Sequence, residues 1–186
     1  MTSLSDEQLV ARIRAGDLTG RRELIERWQE SVYRIAWRVL GNPNDAEEVR
    51  QTVFLRFLER PDSLPDPQRF GGWIRQCTVN AADSLIRSRR VRSASVLPME
   101  VAGSGSDPER EAGAAEEANR LRTALETLLP EERALLSLKF DEGLSFSEIG
   151  ETLDRPASTV KSHYARLISR LKTLLTESTK ELDRHV

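Results

Sequence analysis

The 186 residues include a single cysteine, Cys77, and only two histidines, His163 and His185. A lone cysteine excludes an intramolecular disulfide and a cysteine-based zinc cluster, and two histidines leave metal chemistry almost no ligands. No metal and no other cofactor is expected. Aromatic residues make up 5 % of the chain, and no uninterrupted apolar run approaches the roughly 20 residues a bilayer helix requires. Membrane insertion is therefore not expected. The opening segment MTSLSDEQLVARIRAGD is acidic and amphipathic rather than basic and then apolar, so it does not read as a secretory signal, and a cytoplasmic protein is expected. The chain also lacks a glycine-rich phosphate cradle and any Cys-His or Ser-His pairing suited to nucleophilic catalysis, which argues against an enzyme.

Charge, by contrast, is abundant and unevenly placed. Residues 1–92 carry 16 arginines against 13 acids, residues 93–118 one arginine against six acids, and residues 119–186 eleven cations against eleven acids, for a net charge of -2. The middle stretch, SASVLPMEVAGSGSDPEREAGAAEEA, concentrates Gly, Ser, Pro and Ala and loses all apolar periodicity. It reads as a flexible acidic linker, 93–118, between two domains, 1–92 and 119–186.

On both sides of the linker apolar residues recur at helical spacing, with no sustained period-two alternation, which predicts an all-α fold of two small helical domains. Leu9, Val10 and Ile13 predict a short helix ending near Gly16. Leu24, Trp28, Val32, Ile35 and Val39 predict a long one stopped by Gly41-Asn42-Pro43. A third helix should run from about Asp45 to Glu59, capped by Asn44 or Asp45, with Glu47 and Glu48 in its first turn and Val49, Val53, Phe57 and Leu58 inward. After a proline-rich loop, a fourth helix from about Phe70 to Arg90 turns Phe70, Ile74, Cys77, Ala81 and Leu85 to the core. Its opposite side aligns Gln76, Asn80, Asp83, Arg87 and Arg90, and from Arg75 to Arg92 five arginines accompany one acid. Such a stripe suits phosphate, and it equally suits a solvated helix face.

In the second half, Leu121, Leu125 and Leu128 predict a helix that leads to Pro130-Glu131-Glu132, a favourable start for the next, which Leu135 and Leu138 carry to Gly143. Ser145-Phe146-Ser147-Glu148 has capping-box spacing and opens a short helix with Ile149 and Leu153 inward; Asp154-Arg155-Pro156 breaks it, and a last helix begins near Ala157. Short helix, tight break and longer helix make a helix-turn-helix. Val160, Tyr164, Leu167, Leu171 and Leu174 form the core side of the last helix, leaving Ser158, Thr159, Lys161, Ser162, Ala165, Arg166, Ser169 and Arg170 outside. From Arg155 to Lys172 there are five cations and no acids. Small residues there let a backbone approach the major groove, while Lys and Arg reach phosphates or guanine acceptors.

Five ordered blocks, SDEQLVARIRAGD, VYRIAWRVLGNPNDAEEVRQTVFLRFLE, FGGWIRQCTVNAADSLIRSRR, LPEERALLSLKFDEGLSFSEIGETL and STVKSHYARLISRL, resemble the successive signatures of extracytoplasmic-function (ECF) sigma factors of bacterial RNA polymerase, in the sigma-70 superfamily. The resemblance implies a non-catalytic initiation subunit. Its region-2 domain would bind core RNA polymerase and the promoter -10 element, and its region-4 domain would read the -35 element. The helix around Asp45 to Glu59 would dock on the clamp helices of the largest polymerase subunit through Glu48, Gln51, Thr52, Leu55 and Arg56. Thr52 departs from the acidic residue common at its position.

By the same resemblance, the loop from Asp62 to Arg69 would hold a flipped base, and Asp66, Gln68, Arg69 and Phe70 offer the hydrogen bonding and stacking this needs, although Phe70 also reads as core. Gln76, Asn80, Arg87 and Arg90 would line the -10 DNA, while Trp73 reads as core and Asp83 as an internal partner of an arginine. The expected -35 face is Ser158, Thr159, Lys161, Ser162, His163, Arg166 and Arg170. His163 stands where arginine is usual in the family, and Ala165 where histidine is frequent. The linker would thread the polymerase's active-site and RNA-exit channels. The implied partners are core RNA polymerase and promoter DNA, and an anti-sigma factor is common in the family. Two other readings remain: an autonomous helix-turn-helix regulator leaves the first-half blocks unexplained, and a helical protein-interaction module leaves both basic stretches unexplained.

Overall fold

The computed structural model describes residues 4–59, 64–93, 121–125 and 127–182, and among them every regular element is helical. Helix α1 (Asp6–Arg14) starts on Ser5, whose hydroxyl accepts from the Gln8 N–H while the Gln8 side chain accepts from the Ser5 N–H. Leu9, Val10 and Ile13 are its buried face, as the spacing predicts. Helix α2 (Gly20–Leu40) buries Leu24, Trp28, Val32, Ile35 and Val39 and stops at Gly41, whose φ of 70° is costly for any residue with a Cβ.

Helix α3 (Pro43–Glu59) begins earlier than expected, and its cap is Asn42 rather than Asn44 or Asp45. The Asn42 Oδ1 accepts from the N–H groups of Asn44 at 2.9 Å and Asp45 at 3.2 Å. Pro43, which has no N–H to satisfy, suits the first helical position. Asp45 thus falls inside the helix, buried and ion-paired with Arg89 of α4 (Phe70–Ser93). The inward face also differs by one residue: Val49, Val53 and Phe57 are buried, but Phe54 joins them and Leu58 is exposed. At about 100° per residue, Leu58 sits about 40° further round the helix from that stripe than Phe54.

A single 3-10 turn, Pro67–Arg69, feeds α4, and Phe70 at the start of α4 is the centre of the first-half core. Its ring meets Trp28 edge-on at 5.9 Å, Phe57 at 6.0 Å and Trp73 at 5.7 Å. The Trp28 indole N–H donates to Asp6 of α1 at 2.8 Å, and the Arg75 guanidinium lies 4.7 Å from the Trp28 ring centroid.

In the second half, residues 121–125 are helical, and α5 (Pro130–Leu136) starts on its proline as expected. The sequence predicts an unbroken helix up to Gly143. Instead α5 runs into a π turn, Ser137–Asp141, closed by the Glu142 N–H bonding to the Ser137 carbonyl at 3.1 Å. A π turn admits an extra residue into the helical ladder and so changes the direction in which Asp141 and Glu142 emerge. Helix α6 (Phe146–Leu153) carries the expected capping box between Ser145 and Glu148, and Asp154 leaves it at φ 52°. Helix α7 (Ala157–Leu182) follows. Gly150 permits the tight crossing, since a Cβ there would lie 2.6 Å from the Arg155 carbonyl oxygen. The halves pack together, α5 and the π turn against α2 and α6 against α4, so that the buried apolar residues form one continuous cluster. The expected acidic linker lies outside the described residues.

Phe70→Ala should lower the free energy of unfolding by about 3–5 kcal/mol, read as a lower urea midpoint. A midpoint unchanged from the parent chain would return Phe70 to the candidate DNA surface.

Candidate nucleic-acid interface

Because Val160, Leu167 and Leu171 are buried on one side of α7, the 3.6-residue repeat pushes Ser158, Thr159, Lys161, Ser162 and Arg166 to the solvent side, where all five are exposed. Among the described residues no hydrogen bond or ion pair engages the side chain of Lys161 or Arg166. The Ser162 hydroxyl donates to the Ser158 carbonyl at 2.9 Å, which keeps that side chain close to the helix surface. This part of the predicted face is therefore small, polar and positively charged.

Arg170, one turn beyond Arg166 and also exposed, differs in being ion-paired. Its guanidinium binds Glu132 of α5 at 2.7 Å, and Glu132 also accepts from the Leu129 N–H at 2.8 Å. Burial alone would push the Glu132 carboxyl up, but Arg170 and the Leu129 N–H hold it below the ordinary carboxylate range. A buried carboxylate left without that cation would be strongly destabilising, so Arg170 ties α7 to α5, and its guanidinium is already engaged by Glu132. His163 is half-buried and turned towards α4.

On the first half, Asp66, Gln68 and Arg69 are exposed on the 3-10 turn, whereas Asp62 lies outside the described residues. Phe70, 1 % exposed, presents no ring face to a base and is withdrawn from the set. Along α4, Arg87 and Arg90 are exposed, Asn80 is exposed at the edge of a crevice, and Gln76 is half-buried. The crevice, of about 110 Å³, is lined by Asn80 and Asp83 from α4 and by Thr159 and His163 from α7. Burial raises the Asp83 carboxyl above its ordinary range, Arg87 and Arg155 oppose that shift, and Glu131 adds to it. Asp83 is half-buried in that crevice, and among the described residues no ion pair joins it to an arginine, so the expected pairing is not found.

The predicted docking positions on α3 do share a face: Glu48, Gln51, Leu55 and Arg56 are exposed and Thr52 is half-buried. The Gln51 amide donates to Glu47 at 2.9 Å, and Arg50 binds the same carboxylate at 2.7 Å. Leu55 is 55 % exposed and Leu58 39 %, two leucines three residues apart beside Gln51. Leu58 is a member of this surface that the apolar pattern assigns to the core. Asp141 and Glu142 are also missed by sequence reasoning, since nothing in the local pattern shows that they face α2 and α4. Among the described residues no helix is long and apolar enough to cross a membrane.

The model of Sigma-70 region 2 matches residues 24–92, and that of Sigma-70 region 4 matches residues 118–171. The chain is 33 % identical over 162 residues to the ECF RNA polymerase sigma factor SigE of Mycolicibacterium smegmatis, covering 86 % of this chain and 63 % of that one. It is 27 % identical over 169 residues to the ECF RNA polymerase sigma factor SigW of Bacillus subtilis, covering 84 % and 89 % of the two chains. The fold is also that of CnrH, solved in complex with the cytosolic domain of CnrY, with a TM-score of 0.66 at 21 % identity over 92 % of this chain and 97 % of that one. Two region models in the expected order, on two halves whose exposed faces carry the expected polar residues, place the chain in the sigma-70 family, as an extracytoplasmic-function sigma factor.

Proposed function

We propose that this sigma factor directs promoter-specific transcription initiation by dividing recognition between its halves. Residues 1–92 dock on core RNA polymerase and engage the -10 element, and residues 119–186 read the -35 element. The protein works in the cytoplasm as an initiation subunit, with no catalytic step of its own. The observation that carries this reading is the solvent face of α7. There a helix-turn-helix presents Ser158, Thr159, Lys161, Ser162 and Arg166 together, the two cations engaged by no other described side chain.

The division of roles follows from the chemistry of each surface. Small residues on α7 allow close approach to a major groove, and Lys161 and Arg166 supply donors for guanine or phosphate. Arg87 and Arg90 on α4 supply a positive field for the -10 strands, with Asn80 and Gln76 as hydrogen-bonding groups and Asp66, Gln68 and Arg69 placed on the preceding turn for an extruded base. Leu55 and Leu58, ringed by Glu48, Gln51 and Arg56, have the apolar centre and polar rim of a helix-docking surface and fit the clamp helices. An anti-sigma factor completes the proposed partners; CnrH with the cytosolic domain of CnrY bound is a precedent for a protein partner on this fold.

Run-off transcription with purified core polymerase on a pooled promoter library tests the whole reading. Transcripts that require this protein are expected, and their upstream sequences give both elements. Discrete DNA binding by the isolated chain, with no binding to core, would instead make it an autonomous regulator. Lys161→Ala and Arg166→Ala should each weaken -35 recognition by roughly 1–3 kcal/mol if a base contact is lost, with unchanged helical content; promoter activity equal to the parent removes either residue from the site. Gln51→Ala combined with Leu55→Asp should impair core binding while circular dichroism stays constant, and full retention of core affinity would show that another face docks.

A further inference from the structure

Helix α1 precedes residue 24, where the match to Sigma-70 region 2 begins, yet it packs on the 3-10 turn Pro67–Arg69 as well as on α2. Leu9, Val10 and Ile13 are buried in that packing, and the fit is close at Gly20 of α2, where a Cβ would lie 3.0 Å from the Leu9 Cδ2. Asp6, in the first turn of α1, binds two neighbouring side chains of α2. Its Oδ2 accepts from the Trp28 indole N–H at 2.8 Å and its Oδ1 from Arg27 at 2.5 Å. Arg27 has other acceptors besides, donating to the Leu4 carbonyl and to Glu23 at 2.8 Å each.

Trp28 carries that contact on to the turn. Its buried ring meets the Phe70 ring edge-on at 5.9 Å, and its outer edge lies against the start of α4, since a Cβ at Gly71 would stand 3.2 Å from the Trp28 Cη2. Phe70 follows Arg69 directly, and its N–H closes the turn on the Pro67 carbonyl. The segment is thus pinned by two buried side chains, Leu64 and Phe70, with Asp66, Gln68 and Arg69 exposed between them. A three-residue 3-10 turn has few bonds of its own, so the place of its exposed side chains depends on what holds Phe70. The indole has one donor and a rigid plane, and its single acceptor at Asp6 orients the ring against Phe70.

We propose that Asp6 is a positioning residue for -10 recognition: through the Trp28 indole and Phe70 it fixes the turn whose Asp66, Gln68 and Arg69 meet the extruded base. The inference rests on the sigma-factor reading above for what the turn holds, and on the packing of α1, Trp28 and Phe70 for how the turn is held. Asp6 acts through these side chains and not on DNA. Unstacking a base costs free energy that only well-aligned contacts in the receiving site recover, so a displaced turn loses selectivity before it loses the fold. Without Asp6 the buried indole N–H has no acceptor, and the ring, with Phe70 against it, is free to shift. Loss of the Arg27 pair matters less, because both of its side chains are part-exposed and Arg27 keeps Glu23 and the Leu4 carbonyl.

Run-off transcription from a promoter found with the parent, and from versions of it changed one base at a time in the -10 or the -35 element, compares the parent with Asp6→Ala and Asp6→Asn. The parent should prefer the intact -10 element at least about fivefold at its most selective position. Asp6→Ala should lower that ratio at least about threefold and leave the -35 ratios unchanged, while Asp6→Asn, which keeps an oxygen for the indole, should stay near the parent. Trypsin reads the turn without DNA or polymerase: cleavage after the exposed Arg69 should be at least about fivefold faster in Asp6→Ala, with cleavage after Arg166 unchanged. Unaltered -10 ratios, an equal loss at both elements, or unaltered cleavage after Arg69 overturns the proposal. So does an Asp6→Asn that behaves like Asp6→Ala, which would give the effect to the Arg27 pair. Should Asp6→Ala lose helical signal in circular dichroism, Trp28→Phe, which removes the donor and keeps a ring against Phe70, makes the same comparisons. If no version directs transcription, the sigma-factor reading fails, and the cleavage rate after Arg69 by itself decides whether Asp6 holds the turn.

Discussion

A carboxylate withdrawn from water must be met by a cation, and three such pairings set which helices of this protein adjoin. Asp45 of α3 is met by Arg89 of α4, Glu132 of α5 by Arg170 of α7, and Glu142 by Arg34 of α2 and Arg75 of α4. Each joins separate elements, and each would be costly with one partner missing, because the remaining charge would be buried alone. The chain draws on 24 arginines and four lysines for this purpose. Arginine suits it, since the planar guanidinium is more weakly hydrated than an ammonium and offers several donors in fixed directions. Arg75 shows the economy of the arrangement: one guanidinium stacks over Trp28 in the first-half core and also reaches Glu142 in the second half.

These pairings also decide what is left for nucleic acid. A protein with a net charge of -2 gains nothing from a general positive field, so any affinity for phosphate must come from local excess. Arg89 and Arg170 lie in stretches that look uniformly basic, yet both are engaged by buried acids. Arg87, Arg90, Lys161 and Arg166 remain on exposed faces. The surface proposed for DNA is therefore smaller and more sharply bounded than the count of basic residues suggests. Its two parts sit on the helices that meet at the junction, so the buried ion pairs and the surface proposed for DNA are neighbours on the same elements.

Much of the fold was legible in advance, and the departures have specific causes. The capping box at Ser145, the stop at Gly41, the break after Leu153 and the apolar side of α7 follow from rules that act within one or two turns. Asn42 does not stand out as the cap of α3 because the proline after it reads as a terminator, although proline is also a favoured first helical residue. Leu58 and Phe54 exchange places because an apolar residue at the margin of a stripe is buried only if a neighbouring helix reaches that far round. Phe70 was open to two readings, stacking and core, and the three aromatic rings around it decide for the core.

The sequence by itself determined the all-helical class, the approximate extent of each helix, the helix-turn-helix and the ordered blocks that mark the family. All of these depend on spacing and on contacts three or four residues apart. Tertiary structure alone decided which arginines are engaged, which leucines remain outside, how the π turn aims Glu142, and how the two halves meet. The bonds from Ser31 and Arg34 to Glu142 span 111 and 108 residues of chain. No periodicity carries information over that distance, because the partner of a charged side chain is chosen by which helices pack together, and that choice is made by the whole core at once.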